Sequence, residues 1–480
     1  MKSSPFRNQR GSLLIVAMLM TAIIGVSIVS FLKLSNNGMR MANRALYVGA
    51  AMNISENGLE QAVYTLNKTI EDPSYNWSAN GWTLSGANAY RKWTGYTFEQ
   101  NVTGQVQSYV YSYSGASPKV VSRSVISMPG EGGGTTEKWV EVQLRKTSKF
   151  SNGLVAKQSV SFSGNNASVD SWNSEKNADG TPRGSPVPYS VSERRDNGSV
   201  GSISVTTSAI SAGNADIWGY ASTGGSLPSM GPNGVIGPFG TASGTMDMSH
   251  VSTDFTANFD AVTVPTTYEH GGSSHAITWQ GNGAAITNTT SLPRGTDAVS
   301  ADGVYRIRAD SVAFNNKVLT ITGKVVLYLT NTADAINIGG GSGELRINAG
   351  ASLEVYAAGD IKIAGNGIMN GGTTAATANQ PASCQFYGTK TSGTQNIQIA
   401  GNGVLSAVVY APQGSIKING NGDVCGSMVG NDITVVGNAA FHYDESLADL
   451  GGNNPFRISS WKELTTKTER DAVAGLFSGW

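Results

Sequence analysis

The stretch DIKIAGNG at residues 360–367 returns as NIQIAGNG at 396–403, as SIKINGNG at 415–422 and, decayed, as DITVVGNA at 432–439. Each copy alternates apolar and polar residues over the length of a short strand and then breaks at Gly-Asn, the pattern of a half-buried strand closed by a turn. The Gly-Asn pairs step by 36, 19 and 17 residues, so the first step holds a double turn or an insertion, for which 371–381 is the candidate. A second motif keeps pace with the first: Leu353-Glu-Val-Tyr356, Cys384-Gln-Phe-Tyr387 and Ala407-Val-Val-Tyr410. Repeats of this length cannot bury an apolar face alone and must stack on their neighbours.

The spacing therefore predicts a β-helix (β-solenoid) in which Ile361 and Ile363 lie above Ile397 and Ile399, and these above Ile416 and Ile418. Its turn residues are Gly365, Asn366, Gly401, Asn402, Gly420, Asn421, Gly437 and Asn438. Asn suits such turns because it tolerates the left-handed conformation and can hydrogen-bond its counterpart one coil away. Weaker copies at Ser161–Asn165 and Ile210–Asn214 extend the solenoid back to about Gly153 and forward to about His442, within a domain at 151–450. Such a stack needs capped ends. The amphipathic FHYDESLADL (441–450) and FRISSWKELTT (456–466) are expected to supply a cap, with 451–480 as the C-terminal cap domain.

At the other end of the chain, Leu13–Leu32 is a run of twenty residues without a charge. At about 1.5 Å per residue it matches the roughly 30 Å hydrocarbon core of a membrane. Lys2, Arg7 and Arg10 precede the run, and Lys33, Arg40 and Arg44 follow it, so charge alone does not orient it. No proline occurs from Lys33 to Lys68, and Leu34, Met41, Leu46, Val48, Met52, Leu59, Val63 and Leu66 recur at roughly helical spacing. The helix is expected to run from 12 to about 68, ending no later than Pro73, with Gly25, Gly38, Gly49 and Gly58 as weak points of about 1 kcal/mol each. Between 69 and 150, Gln105–Tyr113, Val120–Ser127 and Lys138–Lys146 alternate and read as antiparallel strands. Trp77, Trp82, Trp93 and Tyr96 could bind a sugar, but core packing is the reading preferred. The expected class is mainly β, with a long N-terminal α-helix and small antiparallel sheet followed by the solenoid.

The polar basic leader that stops at Arg10-Gly11-Ser12, directly before the apolar run, resembles a type IV prepilin leader. Together with ALYVGAAMNISENGLEQAVYTLN (45–67) it is similar to the N-terminal segment of PilX-type minor pilins. With the Gly-Asn coils, FHYDESL and SWKEL added, the chain resembles large solenoid-bearing pilus assembly proteins. The resemblance implies a leader of residues 1–11, cleavage after Gly11 by prepilin peptidase, and Ser12 as the mature N-terminus. It also implies insertion in the inner membrane with the C-terminal part outside the cytoplasm, and then a place in a pilus at the cell surface beside other pilin subunits. Major pilins carry a glutamate at the fifth mature residue; here that residue is Val16, which implies a minor or terminal subunit.

Composition excludes other classes. Lys plus Arg and Asp plus Glu are 33 each, a balance that argues against nucleic-acid binding. Asp360 and Asp432 share a repeat position but are expected three coils apart, about 14 Å, too far for paired-carboxylate glycoside chemistry. The four histidines show no metal-ligand spacing, and Gly339–Leu345 is a single, Glu-bearing echo of a calcium-binding nonapeptide. No catalytic residue, metal or cofactor is expected. The resemblance implies pilin subunits, the peptidase and the membrane as partners, with a surface ligand of the solenoid expected beside them. A membrane-anchored envelope β-helix enzyme, a carbohydrate-binding protein and a type II secretion pseudopilin are the alternatives. Cys384 and Cys425 are expected about two coils apart, roughly 9–10 Å, beyond disulfide reach.

Overall fold

The structure, a computed structural model, describes residues 10–72, 74–98, 102–114, 118–128, 134–146, 148–164, 166–281, 283–287, 291–370, 380–401, 405–420, 423–450 and 455–478. The chain is mainly β with a long N-terminal helix, and it divides into two units: residues 1–146 with 453–480, and residues 147–452.

In the first unit, helix α1 (Arg10–Glu71) runs unbroken for 62 residues. Residues 13–46 are exposed throughout, and within them the helix is long and apolar enough to cross a membrane. From Tyr47 onward the same helix becomes one-sided: Tyr47, Ala51, Ile54, Leu59, Ala62 and Leu66 are buried at three-to-five-residue spacing. They face an antiparallel sheet of β1 (Thr83–Ser85), β2 (Asn88–Thr97), β3 (Thr103–Tyr111), β4 (Lys119–Ser127) and β5 (Thr135–Lys146), in that order. At Gly58 the helix lies close against the sheet. A Cβ there would lie 2.5 Å from Val106 Cγ2 and 2.7 Å from the hydroxyls of Ser108 and Ser122. Trp77 and Trp82 are core residues, in edge-to-face contact at 5.1 Å, and Trp82 Nε1 donates to Thr65 Oγ1.

The segment expected to cap the solenoid belongs here instead. Phe456–Glu463 pairs antiparallel with β5, Trp461 opposite Val142, and completes a six-stranded sheet. Without it β5 would present an unpaired edge. Helix α2 (Lys467–Ala474) follows, started by a reciprocal capping box between Thr466 and Glu469. Leu464, Val473 and Phe477 cover Val121 and Trp139.

The second unit is built of three continuous parallel ladders. One inward row of the first ladder reads Ile307, Leu327, Val355, Phe386, Val409, Met428, Leu154, Val200, Ala221 and Val251. A row of the second reads Val312, Ile336, Ile361, Ile397, Ile416, Ile433, Val160 and Ile210. A row of the third reads Leu319, Leu345, Ile368, Leu405, Val424, Phe441, Val169, Ile217, Ile236 and Met246. Nearly all are fully buried, each worth roughly 1.5–3 kcal/mol for a large aliphatic side chain.

The rows carry the expected Ile361–Ile397–Ile416 stacking, but their order is not that of the sequence. Rungs from 291 to 444 come first along the axis, and the rungs from 154 to 252 follow them. Ala440–Asp444, part of the expected cap, is a rung strand that pairs with Ser168–Trp172. The chain thus enters and leaves in the middle of the stack, where Ser148 N donates to Ala448 O at 3.3 Å. Residues 253–280 run back along the outside. Phe255 N donates to Thr223 O, Phe259 lies under Lys157, Asp260 O accepts from Tyr410, and Tyr268 stacks under Arg306. Phe255, Ala257, Phe259 and Val262 pack half-buried on the core.

This path makes a prediction. Rebuilding the second unit in spatial order, residues 272–452 joined by a short linker to 147–271, should preserve a cooperative β-rich fold, because the old ends already touch and the new ones fall at the exposed Gly271–Gly272 hairpin tip. Circular dichroism and thermal melting test it; loss of the cooperative transition would mean that the continuous order of 147–452 is itself required.

Candidate functional site

Gly11 and Ser12 lie in the first turns of α1. Among the expected turn residues, Gly365, Gly420 and Gly437 take positive φ of 82°, 141° and 91°, where a side chain would be strained. Asn366 and Asn438 do not adopt that conformation; glycine carries the left-handed position at these turns and asparagine only follows it. Asn366 donates from its backbone to Gly343 O and from Nδ2 to Glu344 Oε2 at 3.5 Å, not to an asparagine one rung away. Gly401 closes a strand, and Asn402 and Asn421 lie outside the described residues.

Register separates the two candidate carboxylates. Asn396 accepts no role as a bridge between acids: its backbone and side-chain nitrogens both donate to Asp360, and Ser415 and Asp432 occupy the next two rungs. At about 4.8 Å per rung, Asp360 and Asp432 stand about 14 Å apart. Both cysteines are free and fully buried. Cys425 pairs with Ser406 in one direction and His442 in the other, whereas Gln385, next to Cys384, pairs with Val408.

One dense polar cluster among the described residues was not legible in the sequence. On the outward side of the third ladder, Cys425, His442 and Asp170 occupy one position of three consecutive rungs. They are nevertheless 0%, 3% and 1% exposed, because residues 173–197 leave the ladder and fold over them. His442 Nδ1 meets Asp170 Oδ1 at 2.5 Å, and its Nε2 lies 3.7 Å from Asp423. The second oxygen of Asp170 accepts from Tyr189 Oη at 3.0 Å and pairs with Arg194 Nε at 2.6 Å. The Tyr189 ring stacks on the imidazole at 3.5 Å. Around this centre, Glu445 accepts from Ser171, Arg195 and Asn197, and Asp444 accepts from the backbone nitrogens of Ser174 and Ser446.

A Cys-His-Asp row invites comparison with nucleophilic catalysis, which requires a thiolate. Burial pushes the Cys425 thiol well above its ordinary value, and the carboxylates of Asp423, Asp170 and Asp444 push it further. The shift favours the protonated thiol, and the sulfur is fully buried, whereas nucleophilic attack draws on an accessible thiolate. Among the described residues no cluster of His, Cys, Asp and Glu is arranged to hold a metal. The network's physical role is to join the last rung of the later sequence to the first rung of the earlier sequence.

That role is pH-dependent. Burial opposes the His442 charge, but Asp170 and Asp423 outweigh it and hold the imidazole's pKa above 6.5. The folded state therefore keeps a proton that the unfolded chain releases, a contribution complete below about pH 6.5 and lost as pH rises through the folded value. The groups facing the ring are Asp170, Asp423, Tyr189, Cys425 and, through Asp170, Arg194. Burial first and then Asp170 push the Tyr189 hydroxyl above its ordinary range, so neither it nor the thiol titrates in this window. The melting temperature should fall from about pH 6 to about pH 8.5, and fall less in His442→Gln. Equal slopes in the two proteins would show that His442 is not the titrating group.

Residues 266–450 match a family model described as a domain of unknown function, DUF7305. The match begins one residue before the Thr267–His270 hairpin strand and ends just after the Glu445–Asp449 turn. It thus covers the hairpin and the later-sequence rungs, and leaves out the rungs at 154–252. No curated protein matches the chain. Over those residues, the chain is similar to that family of unknown function.

Proposed function

We propose that this chain is a structural subunit of a type IV pilus-like filament, a PilX-type minor pilin. Its helix anchors it in the inner membrane and then packs among other pilin subunits, and its β-solenoid, formed by the three parallel ladders, projects as a spacer or adhesive surface. One observation carries this reading: a single unbroken helix is apolar and exposed over residues 13–32, then amphipathic and seated on an antiparallel sheet from Tyr47 onward. A helix that served only as an anchor would have no reason to continue as the spine of the domain it anchors. An apolar surface of this size left uncovered needs lipid or other helices around it. Val16, lacking a carboxylate for a neighbour's terminal amine, supports a minor or terminal component over the filament bulk. The separation of Asp360 from Asp432 and the protonated, covered Cys425 speak for a structural role over a hydrolytic one.

N-terminal sequencing of the mature protein tests the proposal. A terminus at Ser12 that depends on prepilin peptidase is expected, and Gly11→Leu should leave the leader uncut and the protein in the membrane. An intact Met1 in the wild type, or normal processing of the variant, would sink the reading.

A further inference from the structure

From the rung that carries Asp170 onward, Asn166, Asn214 and Asn233 recur at one position of three consecutive rungs, each two residues before the paired Ser168, Asp216 and Val235. With Asp216 they line an open pocket of about 480 Å³. Asn214 Oδ1 faces Asn233 N at 3.4 Å, whereas the exposed side-chain amides of Asn166 and Asn233 make no hydrogen bond to any described residue. Two residues along the strand from Asp216, Trp218 stands beside Phe239 with ring centroids 5.6 Å apart, and the Arg194 guanidinium lies 4.6 Å from the Phe239 centroid. Phe239 is 43% exposed. Gly237, which pairs with Trp218, adds no side chain of its own to the next rung, where a Cβ would meet Thr241 Oγ1 at 2.7 Å and Asp247 Cβ at 3.0 Å.

We propose that this groove binds a neutral carbohydrate chain. Three amides and one carboxylate offer donors and acceptors side by side, which is what sugar hydroxyls require. A divalent cation would want several anionic oxygens, and the groove has a single carboxylate. The neighbouring Trp218–Phe239 pair gives the apolar face that a pyranose ring presents something to lie against, the usual division of a binding site into an apolar wall and a few placed polar groups. The amides repeat at the rung spacing of about 4.8 Å, comparable to the length of one pyranose unit, so successive sugars meet successive rungs. This deepens the adhesive part of the proposed function and rests on that reading only for where the groove is displayed.

The test uses the detergent-solubilised full chain, with cellohexaose and chitohexaose as neutral probes and polygalacturonate as the anionic comparator, measured by calorimetry. Binding of a neutral hexamer is expected, with polygalacturonate at least tenfold weaker. Asn166→Ala/Asn233→Ala and Phe239→Ala, all at exposed positions, should each weaken binding at least tenfold with an unchanged melting temperature. No binding of either neutral hexamer, binding that survives both variants, or a preference for polygalacturonate overturns the proposal. N-terminal sequencing of the same preparation keeps the two readings apart. A chain cut at Ser12 that binds no sugar loses the groove alone, and one that binds with Met1 intact loses the filament alone.

Discussion

Replacing Asp170 by alanine is expected to destabilise the second unit by about 3–5 kcal/mol, the usual cost of removing one member of a buried, hydrogen-bonded charge pair. The magnitude follows from what is left behind. The His442 imidazolium, the Arg194 guanidinium and the Tyr189 hydroxyl all converge on this one carboxylate, whose side chain is 2% exposed. After truncation the His442 imidazolium stays buried beneath residues 173–197 without its main acceptor, while Arg194, 31% exposed, can still reach solvent. The variant should also lose the pH-dependence assigned to His442, because the imidazole then has only Asp423, at 3.7 Å, to hold its proton. Urea unfolding followed by tryptophan fluorescence measures the effect, and Asp170→Asn, which keeps the shape and part of the hydrogen bonding, should fall between variant and wild type. A loss below about 1 kcal/mol for the alanine variant would mean that the two halves of the stack are held by their apolar rows alone.

The second large effect is expected at Gly58. Leucine there should cost at least about 3 kcal/mol and separate α1 from β3 and β4, at the severe end of overpacking. A Cβ alone would sit 2.5 Å from Val106 Cγ2, and the two serine hydroxyls at 2.7 Å are fixed on strands from either side. Ser55 Oγ donates to Ser122 O, and Ser124 Oγ donates to Ala51 O, so the helix cannot shift without breaking those bonds. Gly49→Ala is the control. Nothing lies within 4 Å of a Cβ at that position, and the substitution should gain up to about 1 kcal/mol from helix propensity. Thermal melting of both variants decides the point; a Gly58→Leu protein that melts with the wild type would show that the helix does not seat on the sheet as described.

These two sites mark the limit of sequence reading. Gly58 could be read only as a weak point in a helix, since nothing local tells an unavoidable glycine from a tolerated one. His442 and Asp170 are 272 residues apart in sequence, and each looks like an outward-facing strand residue destined for solvent. Their burial is imposed by a segment, 173–197, that has no periodicity of its own.

What the amino-acid sequence determined by itself is whatever depends on neighbours a few residues away. The uncharged run at 13–32 specified an apolar helix. Period-two alternation and Gly-Asn breaks specified strands and turns, and the step between copies specified that Ile361 stacks on Ile397 and Ile397 on Ile416. Only the tertiary structure decided which rung follows which. An apolar row presents much the same surface at every rung, so Val160 could stack on any isoleucine of the second ladder, and nothing local to 154–162 points to Ile433. The choice is made by contacts far apart in the chain: the His442–Asp170 pair, the three donors on Glu445, and the return strand that carries residues 253–280 back to the far end. The same ambiguity explains Phe456–Glu463. An amphipathic strand satisfies any open edge, and the one it covers is β5, because backbone hydrogen bonding is indifferent to sequence and only the assembled fold leaves that edge free.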